Sequence, residues 1–318
     1  MTIGGLALLA ALLCAATMGL ALQRGGTCTV AAVDELLKTG RPTRLLAMTE
    51  AAFWVGTGLL LARSLGVLAD LPGGYALSGW TLAGAALLGL GAVLNRACIF
   101  GAVARLGSGE WAYLATPLGF YLGCVSAGPL FAPPAPVRLA TASPLQSVPG
   151  WLVAVLLVLA IGRLLSALRG WLWRTPATAA PARPGWSPHA ATTVIGLAFA
   201  AMLLLVGAWS YTDVLADLAH AMSFGMTQGI GPRVLIALAL LTGALAGGWK
   251  TRKRQPLAAA ALARCLGGGL LMGWGSLLTP GGNDGLVLIG LPLLWPYAWA
   301  AFAAMVTVIA AALWRPRP

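Results

Sequence analysis

Apolar residues in this chain come in long runs. Nine of them, near 3–22, 44–68, 73–93, 111–131, 150–168, 190–210, 231–248, 257–278 and 286–313, are long enough for a helix to cross a hydrocarbon core, which takes roughly 20 residues. Tryptophans recur at the borders of these runs (Trp111, Trp151, Trp209, Trp249, Trp314), as an interfacial belt requires. The pattern predicts an all-α polytopic membrane protein with about nine transmembrane helices. No Lys or Arg precedes Arg24, so the first run lacks the positive n-region of a signal peptide and is expected to stay as a span.

Composition agrees with the pattern. Of 318 residues, 59% are hydrophobic and 9% charged, against about 25% charged in soluble domains. The net charge of +12 is explained by where the basic residues fall. Lys38, Arg41 and Arg44 share one loop, Arg169, Arg174 and Arg183 another, Lys250 to Arg254 form a third cluster, and Arg315 and Arg317 come last. With nine spans all of these lie on one side, whereas the loops opposite carry only Arg138. The positive-inside rule then places the N-terminus outside and the C-terminus in the cytoplasm. No nucleic-acid partner is needed to account for the charge, and lipid headgroups are the natural contact for the basic loops.

Two linkers stand out, an outer Pro-rich loop at 132–149 and an inner connector at 174–188. The organisation expected is a first membrane repeat over 1–170, a cytoplasmic linker over 171–189 and a second repeat over 190–318. Each half holds Gly-rich segments too short or too broken to span. They are "QRGGTCTVAAVDELL" and the stretch around Cys98 in the first half, and "TDVLADLAHAMSFGMTQGIGP" and "RCLGGGLLMGWGSLLTPGGNDG" in the second. Paired interruptions of this kind point to re-entrant half-helices in two pseudo-symmetric, inverted halves of a transporter, with its site at mid-membrane. Close helix packing explains part of the glycine, as in Gly243-xxx-Gly247 and Gly269-xxx-Gly273, but not "TPGGND".

The chemistry-bearing residues are few. The five cysteines (Cys14, Cys28, Cys98, Cys124, Cys265) make no CxxC pair and no Cys/His cluster with zinc spacing. Cys14 and Cys124 sit in ordinary apolar runs and read as small buried thiols. Cys28 and Cys98 each lie in a broken segment beside glycine and near an arginine (Arg24, Arg96), surroundings that favour an anion or a thiolate. His189 reads as linker, and His220 as packed or capping. Glu50, inside the second span, is a functional candidate by position or the partner of a nearby arginine. No catalytic triad, carboxylate pair, metal site or cofactor-binding pattern is present, so passage of a solute is expected rather than catalysis.

"NRACIFGAVARLGSGE" resembles the signature of the YeeE/YedE-type sulfur transport family, a Gly-Ala-Cys-x-Phe-Gly core followed by Arg-x-Gly-Ser-Gly. "QRGGTCTVAAVDELL" is similar to that family's earlier half-helix, and "GGGLLMGWGSLLTPGGNDG" to its late motif, which ends in Gly-Cys-Asn or Gly-Cys-Thr. The resemblance implies a bacterial inner-membrane importer of thiosulfate or a related small sulfur-containing anion, with short helices lining a positively polarised path and thiols contacting the anion in turn. Carried over by position, Cys28 and Cys98 match two of the pathway cysteines. The third is replaced by Gly282, with Asn283 following. Arg24 and Arg96 are expected either to raise the local potential or to act as positive-inside anchors, and Asn283 to offer an amide near the path. Arg105 and Glu110 are expected to fix the half-helix, and Gly25, Gly26, Gly101 and Gly281 to permit close backbone approach. A cytosolic sulfur-carrier protein is a partner of the kind the resemblance implies. Two alternatives stay open: import of another sulfur or selenium compound, and a membrane subunit relaying electrons or persulfide sulfur.

Overall fold

The computed structural model describes residues 4–67, 71–132, 134–172, 185–224, 229–250, 252 and 255–314. Helices α1 (Gly5–Gly25), α2 (Thr29–Thr39), α3 (Thr43–Ser64), α4 (Gly79–Asn95), α5 (Ile99–Gly107), α6 (Ala115–Phe131) and α7 (Gly150–Leu172) make up the first part. The second part holds α8 (Pro188–Val206), α9 (Tyr211–Phe224), α10 (Ile230–Gly247), α11 (Ala259–Leu278), α12 (Gly282–Gly285) and α13 (Pro296–Leu313). A π-helical turn, Leu286–Gly290, prolongs α12. Nine apolar lengths sufficient to cross a membrane occur among the described residues, built on α1, α3, α4, α6, α7, α8, α10, α11 and α13. The chain is an all-α polytopic membrane protein. The remaining helices α2, α5, α9 and α12, of 11, 9, 14 and 4 residues, fall short of the roughly 20 needed to cross.

The last span starts at Pro296 and not at 286 as the apolar run indicates. Pro292 and Pro296 lack an N–H and cannot sit inside one continuous helix, so 286–290 completes the short helix instead. His189 is also displaced from its expected place in the linker. The Ser187 side chain accepts from the Ala190 N–H and Pro188 takes the first helical position, which starts α8 before its apolar run begins. His189 Nδ1 then meets Glu50 on α3, which is bonded on its other side by Arg163 Nε of α7 at 2.9 Å. Glu50 is therefore a paired carboxylate. Residues 173–184 of the expected linker, with Arg174 and Arg183, lie outside the described residues, as do Arg254, Arg315 and Arg317.

Two further expectations need correction. Trp151, Trp249 and Trp314 are largely exposed, but Trp209 is buried in the core, where its Nε1–H donates to the Arg233 carbonyl. His220 is exposed on α9. The basic bias also has more exceptions than Arg138. Arg63 closes α3 at the same end and donates to the Gln146 carbonyl at 2.9 Å.

Small residues bring the spans together. Gly243 of α10 faces the Ala16 backbone of α1, and Gly269 and Gly273 of α11 face the carbonyls of Thr116 and Phe120 on α6. In lipid, where no hydrophobic force drives one helix onto another, close backbone approach of this kind supplies the dispersion contact. The partners obey a pattern. Exchanging α1–α6 for α8–α13 in order turns the α1–α10 contact into α8–α3, α6–α11 into α13–α4 and α2–α13 into α9–α6, and every one of these occurs. Only α7 has no counterpart. It packs chiefly on α3 and leaves Val158, Ile161, Leu164 and Leu165 exposed to lipid. The start of α8 lies at the end of α1, where the Trp186 N–H donates to the Arg24 carbonyl at 3.0 Å.

Replacing Gly243 with Leu should lower the thermal midpoint in detergent by an amount equivalent to about 1–3 kcal/mol, the usual cost of overpacking. Gly162→Leu on α7, where a side chain meets nothing within 4 Å, should leave it unchanged. Equal shifts for the two variants would show that the glycine contacts do not hold these spans together.

Candidate functional site

Two breaks in the first half are built alike. Helix α1 ends at Gly26, with φ +58° and its N–H bonded to the Leu22 carbonyl. Helix α4 ends at Arg96, with φ +60° and its N–H bonded to Ala92 and Val93. Glycine takes this left-handed conformation freely, whereas arginine does so at a cost, and at Arg96 the neighbouring Asn95 supports it. Asn95 is fully buried. Its Nδ2 donates to the Ala97 carbonyl at 2.8 Å and its Oδ1 accepts from Thr116 Oγ1 at 3.0 Å, while its own carbonyl accepts from the Tyr113 hydroxyl. Two residues past each left-handed turn a cysteine in extended conformation caps the next helix: Cys28 at α2 and Cys98 at α5.

The two capping thiols meet. The Cys98 N–H donates to Cys28 Sγ at 3.4 Å, and the Thr29 N–H donates to Cys98 Sγ at 3.4 Å. Each sulfur thus accepts from the helix start that carries the other. The amides concerned are among those a helix leaves unbonded at its N-terminus, and each helix end carries a partial positive charge of about half a unit. Gly101 allows this approach, because a Cβ there would stand 2.5 Å from Cys28 Sγ and 2.9 Å from its Cβ.

Below the thiol pair lies a cavity of about 990 Å³. Cys28 and Gly101 line it, with four cations, Lys38, Arg44, Arg96 and Arg105, against one acid, Asp34. Asp34 is bonded to Lys38 at 2.8 Å, Arg44 to Glu35 at 3.3 Å and Arg105 to Glu110 at 3.2 Å. Arg96 is exposed and has no ion-pair partner among the described residues. Cys98 sits behind Cys28, at 1% exposure against 8%. Arg24 is elsewhere: its Nε donates to the Gly247 carbonyl at 2.9 Å and so closes the end of α10. Of the two arginines flagged by the sequence, Arg96 lines the cavity and Arg24 bonds the end of α10.

The second half reaches the same place through a side-chain hydrogen bond. Thr29 Oγ1 donates to Asn283 Oδ1 at 3.4 Å, with both residues buried. Asn283 follows the tight turn at Gly281 (φ +85°) and Gly282 (φ +51°). Gly282 leaves no room for a larger residue, since a Cβ would lie 2.6 Å from Thr212 Oγ1 and 2.9 Å from Thr212 Cβ. Asp284 turns to α9, where its Oδ2 accepts from the N–H groups of Tyr211 at 2.6 Å and Thr212 at 3.2 Å, and Thr212 Oγ1 bonds its Oδ1. Cys124 packs between spans, with Sγ 3.7 Å from the Gly273 carbonyl, and Cys265 is fully buried within α11. The glycines of "RCLGGGLLMGWGS" belong to the regular helix α11, and the chain breaks only at Thr279–Gly282.

The structure therefore joins Cys28 to Cys98, links Asn283 to Thr29 beside them, sets Arg96 on the wall of the cavity that Cys28 also lines, places Gly282 against Thr212, and sets Arg24 apart. Thr29, Asn95, Thr212 and Asp284 were not singled out from the sequence. The signal available was position, because each is a short polar residue within two places of a helix start or end. Among the described residues no group of His, Cys, Asp and Glu is placed to hold a metal ion. The arrangement suits a small anion: soft sulfur acceptors and donors, two positive helix ends and a cationic cavity leading to them. A family model described as "Sulphur transport" matches residues 24–311. No curated protein matches the chain.

Burial sets the order of thiol reactivity. A small charged methanethiosulfonate reagent should label Cys28 first and Cys98 more slowly, and leave Cys124 and Cys265 unlabelled in the folded protein, read by mass spectrometry. Faster labelling of Cys265 than Cys28 would contradict this placement. Gly282→Cys should lower folded yield, and adding Thr212→Gly should restore part of it. Equal yields for native and Gly282→Cys protein would show that Thr212 does not fill that space.

Proposed function

Since this chain belongs to the sulphur transport family, we propose that it imports thiosulfate, or a closely related small sulfur-containing anion, along a path through Cys98 and Cys28. The carrying observation is the thiol pair whose sulfurs bond each other's helix starts at the head of a cation-lined cavity. An anion arriving there takes the amide donors that the sulfurs now occupy, and the thiols turn to donate instead. An S–H is a weak donor, so the anion is held and then released, as conduction requires. Arg96 attracts it toward the cavity, and Asn283 sets the amide edge of the path where Gly282 replaces a thiol.

The surrounding architecture follows from the same reading. The exchange of packing partners supports two repeats, α1–α6 and α8–α13, within the 1–170 and 190–318 divisions. Four spans and then α7 precede α8, so the second repeat runs inverted relative to the first. The cavity opens at the end bearing Lys38, Arg44 and Arg105, which the positive-inside rule assigns to the cytoplasm of a bacterial inner membrane. A soluble sulfur-carrier protein would receive the anion at that mouth.

The test is uptake of radiolabelled thiosulfate by cells that lack their own importers. A hydrogen bond to a charged group contributes about 1.5–3 kcal/mol, so Cys28→Ala and Cys98→Ala should each reduce uptake by roughly one to two orders of magnitude. Arg96→Gln should raise the half-saturating concentration and weaken its dependence on salt. Cys124→Ala should transport normally. Full uptake by the double cysteine variant would sink the thiol path, and no uptake by well-expressed native protein would sink thiosulfate as the substrate.

A further inference from the structure

Asp284 is the only ionisable carboxylate or base fully buried among the described residues, at 1% exposure, and no cation is paired with it there. A charged carboxylate inside a membrane protein without a counter-ion is costly and marks a pathway or a proton relay more often than a structural element. Its hydrogen bonds can be counted. Oδ2 accepts two backbone N–H groups, from Tyr211 and Thr212. Oδ1 meets Thr212 Oγ1, and that same hydroxyl lies 3.1 Å from the Gly281 carbonyl and 3.3 Å from Ser210 Oγ.

Thr212 has one hydroxyl proton, and the Gly281 carbonyl can only accept. With Asp284 ionised, Thr212 shares its one proton or gives it to the carboxylate, and both bonds are fully formed when Asp284 supplies a second proton. The cluster thus has two arrangements. With Asp284 protonated, its O–H donates to Thr212 and Thr212 donates to Gly281. With Asp284 ionised, Thr212 turns its proton toward the carboxylate and its bond to the Gly281 carbonyl weakens. Gly281 is the first of the two left-handed residues that aim Asn283 at Thr29, beside the thiols. The charge of Asp284 is therefore linked, through one hydroxyl, to the turn that completes the proposed path.

We propose that Asp284 is a proton carrier, and that inward passage of the anion is coupled to inward passage of a proton through this carboxyl group. The proposal rests on the sulfur-anion reading above. Its chemistry is a reversible protonation: the carboxylate takes a proton from the outer side, becomes neutral while the anion passes the thiols, and gives the proton up on the cytoplasmic side. The membrane potential, interior negative, opposes entry of an anion, and each accompanying proton offsets one unit of that charge. The groups that face Asp284 are Asp213 and Tyr211 on α9. Beyond them Arg233 of α10 and Tyr297 of α13 face Asp213, and Arg233 is itself held by Asp217 at 2.5 Å. On the side of α2 and α5 the neighbours past Asn283 are Thr29 and the two thiols.

The experiment uses the purified full chain in liposomes that trap a pH-sensitive dye, with the potential clamped by potassium and valinomycin. Radiolabelled thiosulfate is added outside and both signals are followed. The native protein should take up label and acidify the lumen together. Asp284→Asn reproduces the hydrogen-bonding of the protonated acid, so it should exchange label between compartments of equal pH and produce no acidification. Asp284→Glu should retain acidification. Thr212→Val, which removes the bridging hydroxyl but keeps the carboxylate, should reduce acidification per label taken up at least severalfold. Label uptake without acidification by native protein, or acidification by Asp284→Asn equal to native, overturns the coupling alone. Absence of label uptake by native protein overturns the substrate reading, and the coupling with it.

Discussion

A break in a helix inside a membrane leaves several backbone N–H groups with no partner on their own helix and no water to supply one. Four short helices begin inside this protein, and the rest of the structure is arranged around meeting that requirement. At α2 and α5 it is met reciprocally, since the sulfur of Cys98 takes the Thr29 amide and the sulfur of Cys28 takes the Cys98 amide. At α9 it is met by a full carboxylate, Asp284, reaching over from α12. The two solutions differ in strength. A thiol is a weak acceptor that an anion can displace, whereas a buried carboxylate holds its donors until it is itself neutralised.

That difference divides the labour between the halves. The first half offers exchangeable acceptors at the head of a cavity ringed by Lys38, Arg44, Arg96 and Arg105. The second half adds Ala312 and Leu313 to the cavity wall, meets Thr29 beside the thiols through Asn283, and keeps its carboxylate one residue further on. Gly282 fits the same scheme. Thr212 fills the space beside it and also bonds Asp284, so the side chain missing at 282 and the carboxylate at 284 are parts of one packed unit.

Placement of the four helix starts depends on the spans that frame them. Glycines at Gly243, Gly269 and Gly273 let α10 and α11 lie directly on the backbones of α1 and α6, and the same pairings recur when one set of six helices is exchanged for the other. Helix α7 stands outside this scheme, fastened to α3 and α8 through Arg163, Glu50 and His189.

The sequence by itself determined the all-α class, the number of crossings and the two broken segments around Cys28 and Cys98. Those features are local: a run of apolar residues must be shielded along its whole length, and a Gly-rich polar interruption cannot cross lipid unaided. Broken, glycine-rich segments with a nearby arginine mark out Cys28 and Cys98 in the sequence, and the motif resemblance points to the same pair. Tertiary structure alone decided that the thiols bond each other's helix starts, that Arg96 lines the cavity while Arg24 bonds the end of α10, and that Glu50 is spoken for by Arg163 and His189. It also decided where the last span starts and that Asp284 caps a helix 73 residues earlier in the chain. Each of these depends on which segments fold back beside one another, and hydropathy, which measures a segment against lipid, carries no information about its neighbours.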